Sequence, residues 1–150
     1  MKPWAIYGIT RKLTEKFKKT TVNTKKMPKI FHNSLHIYPL DVGNDECLNF
    51  EIEAMATPQY NIHRFGIFFT DSPRHADILL ILGRPTKAMI EPLNEAINQI
   101  PEPFGIVVLE NNQQTGIDIK TLNIPNVLAH VKEEIDAQGI ITLLLNIMEK

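Results

Sequence analysis

Apolar residues fall in short runs separated by polar loops, and the spacing within each run predicts its element. Leu35 to Leu40 is an apolar run ending at Asp41 and reads as a first strand. Asn49 to Met55 reads as a short helix, with Asn44 or Asp45 as a candidate cap and Thr57-Pro58 as its stop. Phe65 to Thr70 and Ala76 to Leu82 read as the second and third strands. The third is nearly continuously apolar, as a parallel strand covered on both faces must be. In Thr86 to Ile100, Met89, Leu93, Ala96, Ile97 and Ile100 repeat at helical spacing, and Pro101 closes the segment. Gly105 to Leu109 predicts a fourth, buried strand, Glu110 to Gly116 a polar loop, Leu122 to Leu128 a last short strand and Val131 to Met148 a final helix. Strands alternating with helices imply the α/β class, here a flavodoxin-like parallel sheet with helices on both faces. No internal repeat is visible.

Composition narrows the class without naming a function. A chain of 150 residues, 43% hydrophobic and 22% charged with a formal net charge of -1, is one domain of a globular protein. At this length roughly 70% of the unfolded surface is buried on folding. The longest apolar runs, ILLIL and IITLLLNIM, are too short to cross a bilayer. Met1 to Thr20 has no continuous apolar core, so no signal peptide is expected and the expected location is cytoplasmic. The single cysteine excludes a disulfide framework and any site built from several cysteines of one chain.

Charge is distributed unevenly. Residues 1–30 carry nine Lys or Arg against one Glu, and residues 31–150 carry seven against sixteen acids, so a basic arm precedes an acidic α/β domain. In the arm, apolar residues including Trp4 are interleaved with Arg11, Lys12 and Lys16, and Ile9 to Lys19 has the periodicity of a short amphipathic helix. Such a helix can lie on an anionic membrane surface or dock on a partner subunit; packing back on its own domain is the alternative. Nucleic acid is not an expected partner, because the acidic domain repels phosphate. Thr20 to Lys29 is linker-like.

The segments HIYPLDVG, EIEAMATPQYN, HRFGI, SPRHADILLILG and IPEP, with YGITRKLTEKF and TVNT in the arm, resemble one known family. It is the small, 20 kDa-type subunit family shared by respiratory complex I (NADH:ubiquinone oxidoreductase) and energy-converting membrane-bound [NiFe] hydrogenases. The likeness is strongest from about Leu35 to Leu109. It implies a fold that holds one [4Fe-4S] cluster against a large subunit, and such a cluster takes four thiolates. Registered on the family pattern, the ligand positions fall on Asp45, Leu48, near Asn112, and near Ala129 in what would be a turn before the last helix. None is cysteine. Cys47 adjoins the first pair, but one thiolate cannot hold four irons. The QQTGIDIKTLNIPN loop is short and lacks the family's glycine-rich turn. The resemblance therefore implies a divergent, cluster-free relative, to which the family's electron-transfer role does not carry over.

Other chemistry is weak. His32, His36, His63, His75 and His130 match no metal-ligand spacing, and no metal site is expected. Glu51 and Glu53 point apart on a helix. The Glu matching Glu51 lies in the family near the cluster and the large-subunit interface, so an interface or structural role is expected here. Gly83 to Thr86 precedes a helix start where an anion could sit. Cys47 is either a reactive thiol at a helix N-terminus or an inert one. The expected function is a non-catalytic docking subunit whose partner is large-subunit-like, with Glu51, Tyr60, Arg64 and Arg74 as interface candidates. The arm would seat the pair on a membrane-embedded module, giving peripheral attachment to the inner membrane face. The alternative is a redox subunit holding a flavin or an atypical iron-sulfur group in the vacated pocket.

Overall fold

The computed structural model describes residues 24–44, 46–110 and 115–149. The positions Trp4, Arg11, Lys12, Lys16, Asp45 and Asn112, and the helix expected over Ile9 to Lys19, lie outside them.

Five parallel strands form one sheet in the order β2-β1-β3-β4-β5: β1 (Leu35–Gly43), β2 (Ile67–Phe69), β3 (Ile78–Gly83), β4 (Gly105–Leu109) and β5 (Val127–Val131). The α/β, flavodoxin-like class read from the sequence is the observed one. β3 and β4 are buried at every position, because helices cover both faces of the sheet. On one face α1 (Cys47–Met55) and α3 (Ala137–Ile147) pack over Leu35, Ile37, Leu80, Leu82, Val107 and Leu109. On the other, α2 (Ile90–Gln99) sets Leu93 and Ile97 against Leu79, Ile81, Ile106 and Val108. Alternate residues along β3 thus feed opposite cores, as the period of two requires.

Several boundaries differ from the sequence reading, each for a local reason. α2 begins at Ile90, after a 3₁₀ turn over Lys87–Met89, rather than at Thr86. Pro92 decides this: it has no N–H to donate and is tolerated only in the first turn, so a helix begun at Thr86 would carry it in its interior. Leu122 ends a 3₁₀ turn, Ile119–Leu122, instead of opening a strand. Asn123 and Asn126 take left-handed backbone at φ 47° and 53°, and the last strand starts only after them, at Val127. It then runs to Val131, which pairs with Leu109. The final helix accordingly starts at Ala137, where the Asp136 side chain accepts from Gly139 N–H at 2.7 Å. α1 starts at Cys47, two residues before the expected Asn49, and its cap Glu46 makes no side-chain cap bond.

The end of the linker-like segment is attached to the domain. Lys25 N–H donates to Leu128 O at 2.8 Å, Met27 N–H donates to Ile147 O at 3.1 Å, and Met27 and Phe31 are buried in the α1–α3 core. Among the described residues, no helix is long and apolar enough to cross a membrane.

Candidate functional site

In a parallel sheet every loop leaving a strand's carboxyl end lies at one edge, and ligands of open α/β sheets sit there. Here that edge gathers several charged side chains. Arg84 follows β3, Glu110 follows β4, and His130 and Lys132 come from the end of β5. Glu110 is 1% exposed. Its Oε2 accepts from Arg84 Nε–H at 3.2 Å and lies 3.8 Å from Lys132 Nζ, which in turn is 3.7 Å from Asp118 Oδ2. Its Oε1 lies 3.0 Å from His130 Nε2, and among the described residues neither atom has a hydrogen-bond partner elsewhere.

The backbone carrying Arg84 is clamped. A Cβ on Gly43 would lie 2.5 Å from Arg84 O, so only glycine lets the β1 and β3 ends approach this closely. The next loop is tied by Asp41, whose Oδ1 accepts from Gly43 N–H at 3.0 Å and Asn44 N–H at 3.1 Å and whose Oδ2 accepts from Asn49 Nδ2 at 2.9 Å. Partial burial works to raise the Asp41 carboxyl, but these bonds, Asn44 N–H foremost, hold it below its ordinary value of 3.8. A depressed carboxylate stabilises the fold above its unfolded value and loses that contribution as pH falls through the folded one. The native chain should therefore lose more stability than the Asp41→Asn variant as pH falls below about 4. Urea midpoints measured from pH 6 to pH 2 check this, and parallel curves for the two proteins would refute it.

Between α1 and the start of α3 the same edge holds a pocket of about 530 Å³ lined by Cys47, Leu48, Glu51, Glu110, Gly139 and the Glu133 to Asp136 turn. Glu51 Oε2 accepts from Ala137 N–H at 2.6 Å, so an α1 carboxylate caps α3 across the pocket floor.

Sequence-derived positions scatter around this geometry. Leu48 is buried and lines the pocket, and Cys47 lines it while exposed. Ala129 is in neither the pocket nor a turn: it lies within β5, 3% exposed, paired with Val107. The turn before the last helix is Lys132 to Asp136 instead, because β5 runs on to Val131. Glu51 is at the pocket edge of the sheet. Arg64 and Arg74 lie in turns that enter β2 and β3, at the opposite edge, and half-buried Tyr60 lies in the loop leading to β2. The Arg64 guanidinium stands 4.5 Å from the Phe65 ring centroid, and Arg74 is exposed in a turn started by Ser72. The four interface candidates thus do not share one edge. Sequence reasoning did not single out Glu110 or Lys132 and set His130 aside as matching no metal-ligand spacing; the available signal was an acid ending a wholly apolar strand.

No protein-family model matches the chain. Formate hydrogenlyase subunit 7 of Escherichia coli is 41% identical over 70 residues, 47% of this chain and 28% of that protein. The probable membrane-bound hydrogenase subunit mbhJ of Pyrococcus furiosus is 33% identical over 81 residues, 54% of this chain and 48% of its own length. An NADH-quinone oxidoreductase subunit of Citrifermentans bemidjiense is 36% identical over 73 residues, 49% of this chain and 42% of that protein. Over about half of its length the chain is similar to members of the complex I and membrane-bound hydrogenase small-subunit family. Its matches span less than half the length of these three family members. The fold also matches a chain of the membrane-bound sulfane sulfur reductase, an archaeal respiratory membrane complex, with a TM-score of 0.57 over 82% of this chain and 75% of that one, at 19% identity.

Proposed function

We infer that this chain is a cluster-free docking subunit of a membrane-associated oxidoreductase-type complex. Similarity to relatives named as hydrogenase and quinone-oxidoreductase subunits supports a place in such a complex. The observation that carries the finer reading is the chemistry of the pocket wall. A [4Fe-4S] cluster takes four soft thiolates, and with them it is an anion. The chain has one cysteine, and the other side chains able to ligate in this wall are the carboxylates of Glu51, Glu110, Glu133, Glu134 and Asp136. These residues do not fit the group. They are hard donors and they repel its charge.

The same wall counts against a flavin nucleotide, since among the described residues no Lys, Arg or His lines the pocket to receive a phosphate. The partner proposed is large-subunit-like, and attachment to the membrane is peripheral, through that partner and the basic arm. Anaerobic purification followed by iron and acid-labile sulfide analysis should give far less than one iron per chain. About four irons per chain would overturn the reading, and a visible flavin spectrum would replace it with the redox alternative.

A further inference from the structure

Every residue of α3 except Leu145 and Asn146 is buried. The sheet lies under Ile140, Leu144 and Ile147, and α1 stands on the flank of Gly139, across the pocket. At about 100° per residue, Gln138 and Thr142 fall on the side turned away from the sheet, where a helix packed on a sheet ordinarily meets water. Each is nonetheless 7% exposed. The Thr142 hydroxyl donates to Gln138 O at 2.8 Å, so it is satisfied within the helix and can lie under an apolar cover.

The path of the described chain points to that cover. It starts along the outer edge of β5, with Thr24 and Lys25 beside Val127 to His130, and Lys26 pairs with Glu149 just past the end of α3. The 23 residues before Thr24 have ample reach. Even at helical rise they span roughly 35 Å, against about 16 Å for α3. At helical spacing Ile9, Leu13 and Phe17 share one side, with Arg11 and Lys18 on the other. Charge favours the same approach, since the arm is basic and the domain it would meet is acidic.

We propose that residues 9–19 of this chain cover the outer side of α3, with Ile9, Leu13 and Phe17 over Gln138, Thr142 and Leu145. The apolar side of the arm then closes the domain, and its basic side alone is left for an anionic membrane surface or a partner.

Thiol labelling of the full chain tests this, with Cys47→Ser removing the native thiol and Thr142→Cys placing one on the outer side of α3. Labelling should be slow and independent of protein concentration. Adding Leu13→Glu with Phe17→Glu should speed it at least about tenfold by opening the cover while the sheet stays folded. Arg11→Glu with Lys18→Glu, on the other side of the arm, should leave the rate within about twofold. If the Leu13→Glu, Phe17→Glu chain does not fold, vesicles of mixed phosphatidylserine and phosphatidylcholine decide the matter with the native chain. Binding should be by charge alone, lost at about 1 M salt, where screening acts within roughly 3 Å, and unchanged by Phe17→Ala. Fast labelling with the arm native, or no acceleration by Leu13→Glu with Phe17→Glu, would overturn the proposal. So would protection that fades on dilution, which would make a second copy the cover, or salt-resistant vesicle binding abolished by Phe17→Ala. Iron content enters none of these readouts, so this inference and the cluster-free reading fail separately.

Discussion

Replacing Arg84 with methionine is expected to lower the unfolding free energy by about 2–4 kcal/mol, a large effect for a residue whose side chain is 28% exposed. The loss comes from what remains. Glu110 stays 1% exposed, and what remains beside it is His130 Nε2 at 3.0 Å and Lys132 Nζ at 3.8 Å, the latter already shared with Asp118. Breaking a buried pair by removing one member leaves a charge that the interior cannot solvate, whereas removing both members together is often nearly neutral. Glu110→Leu should therefore be milder than Arg84→Met, because Arg84 and Lys132, 28% and 38% exposed, can turn to water when their carboxylate is gone. The double variant Arg84→Met with Glu110→Leu should recover at least half of the Arg84→Met loss. Urea unfolding of the four proteins gives the cycle. Additive losses in the double variant would mean that Arg84 and Glu110 act separately and do not form one network.

That network also marks where sequence reasoning stopped. The sheet was legible because β3 and β4 are apolar on both faces, a signal local to five or six residues. α2 was legible through Leu93, Ala96 and Ile97, though its start was not, because a proline within three residues of a helix start outweighs apolar periodicity. The site is another matter. Arg84 meets Glu110 across 26 residues, and Glu51 meets Ala137 N–H across 86. No periodicity carries such distances; only the strand order does, by bringing the ends of β3, β4 and β5 side by side. Ala129 shows the same limit from another direction. The family resemblance set it in a turn, and the register of β5 against β4 puts it in the core instead. Family patterns transfer where strands and loops keep their lengths, and the stretch after β4 is where this chain departs from the pattern.

Gly83→Ala should lower the unfolding free energy by about 3 kcal/mol or more. Gly83 ends β3 at φ +86°, a conformation costing a side chain of order 1–3 kcal/mol, and a Cβ there would stand 2.6 Å from Asn44 N, 2.7 Å from Gly43 C and 2.8 Å from Asn44 Cα. All three obstacles are backbone. Relief requires β1 and β3 to part where Gly43 and Gly83 pair, next to the register shift between Asp41 and Gly43. That movement would loosen the Asp41 ties and swing the start of α1, with Cys47 and Leu48, away from the pocket. Gly105→Ala is the control. Its Cβ would crowd Leu128 Cδ1 and Cγ, but these atoms belong to one half-buried side chain that can change rotamer, not to backbone. Its cost should be about 1–2 kcal/mol, typical of overpacking that a neighbour can absorb. Thermal unfolding ranks the two, and the rate at which a thiol reagent modifies Cys47 reports the loop: faster in Gly83→Ala, unchanged in Gly105→Ala. The reverse ranking, or equal Cys47 rates in both variants, would show that the β1 and β3 ends yield to a methyl group and that the pocket does not depend on their close approach.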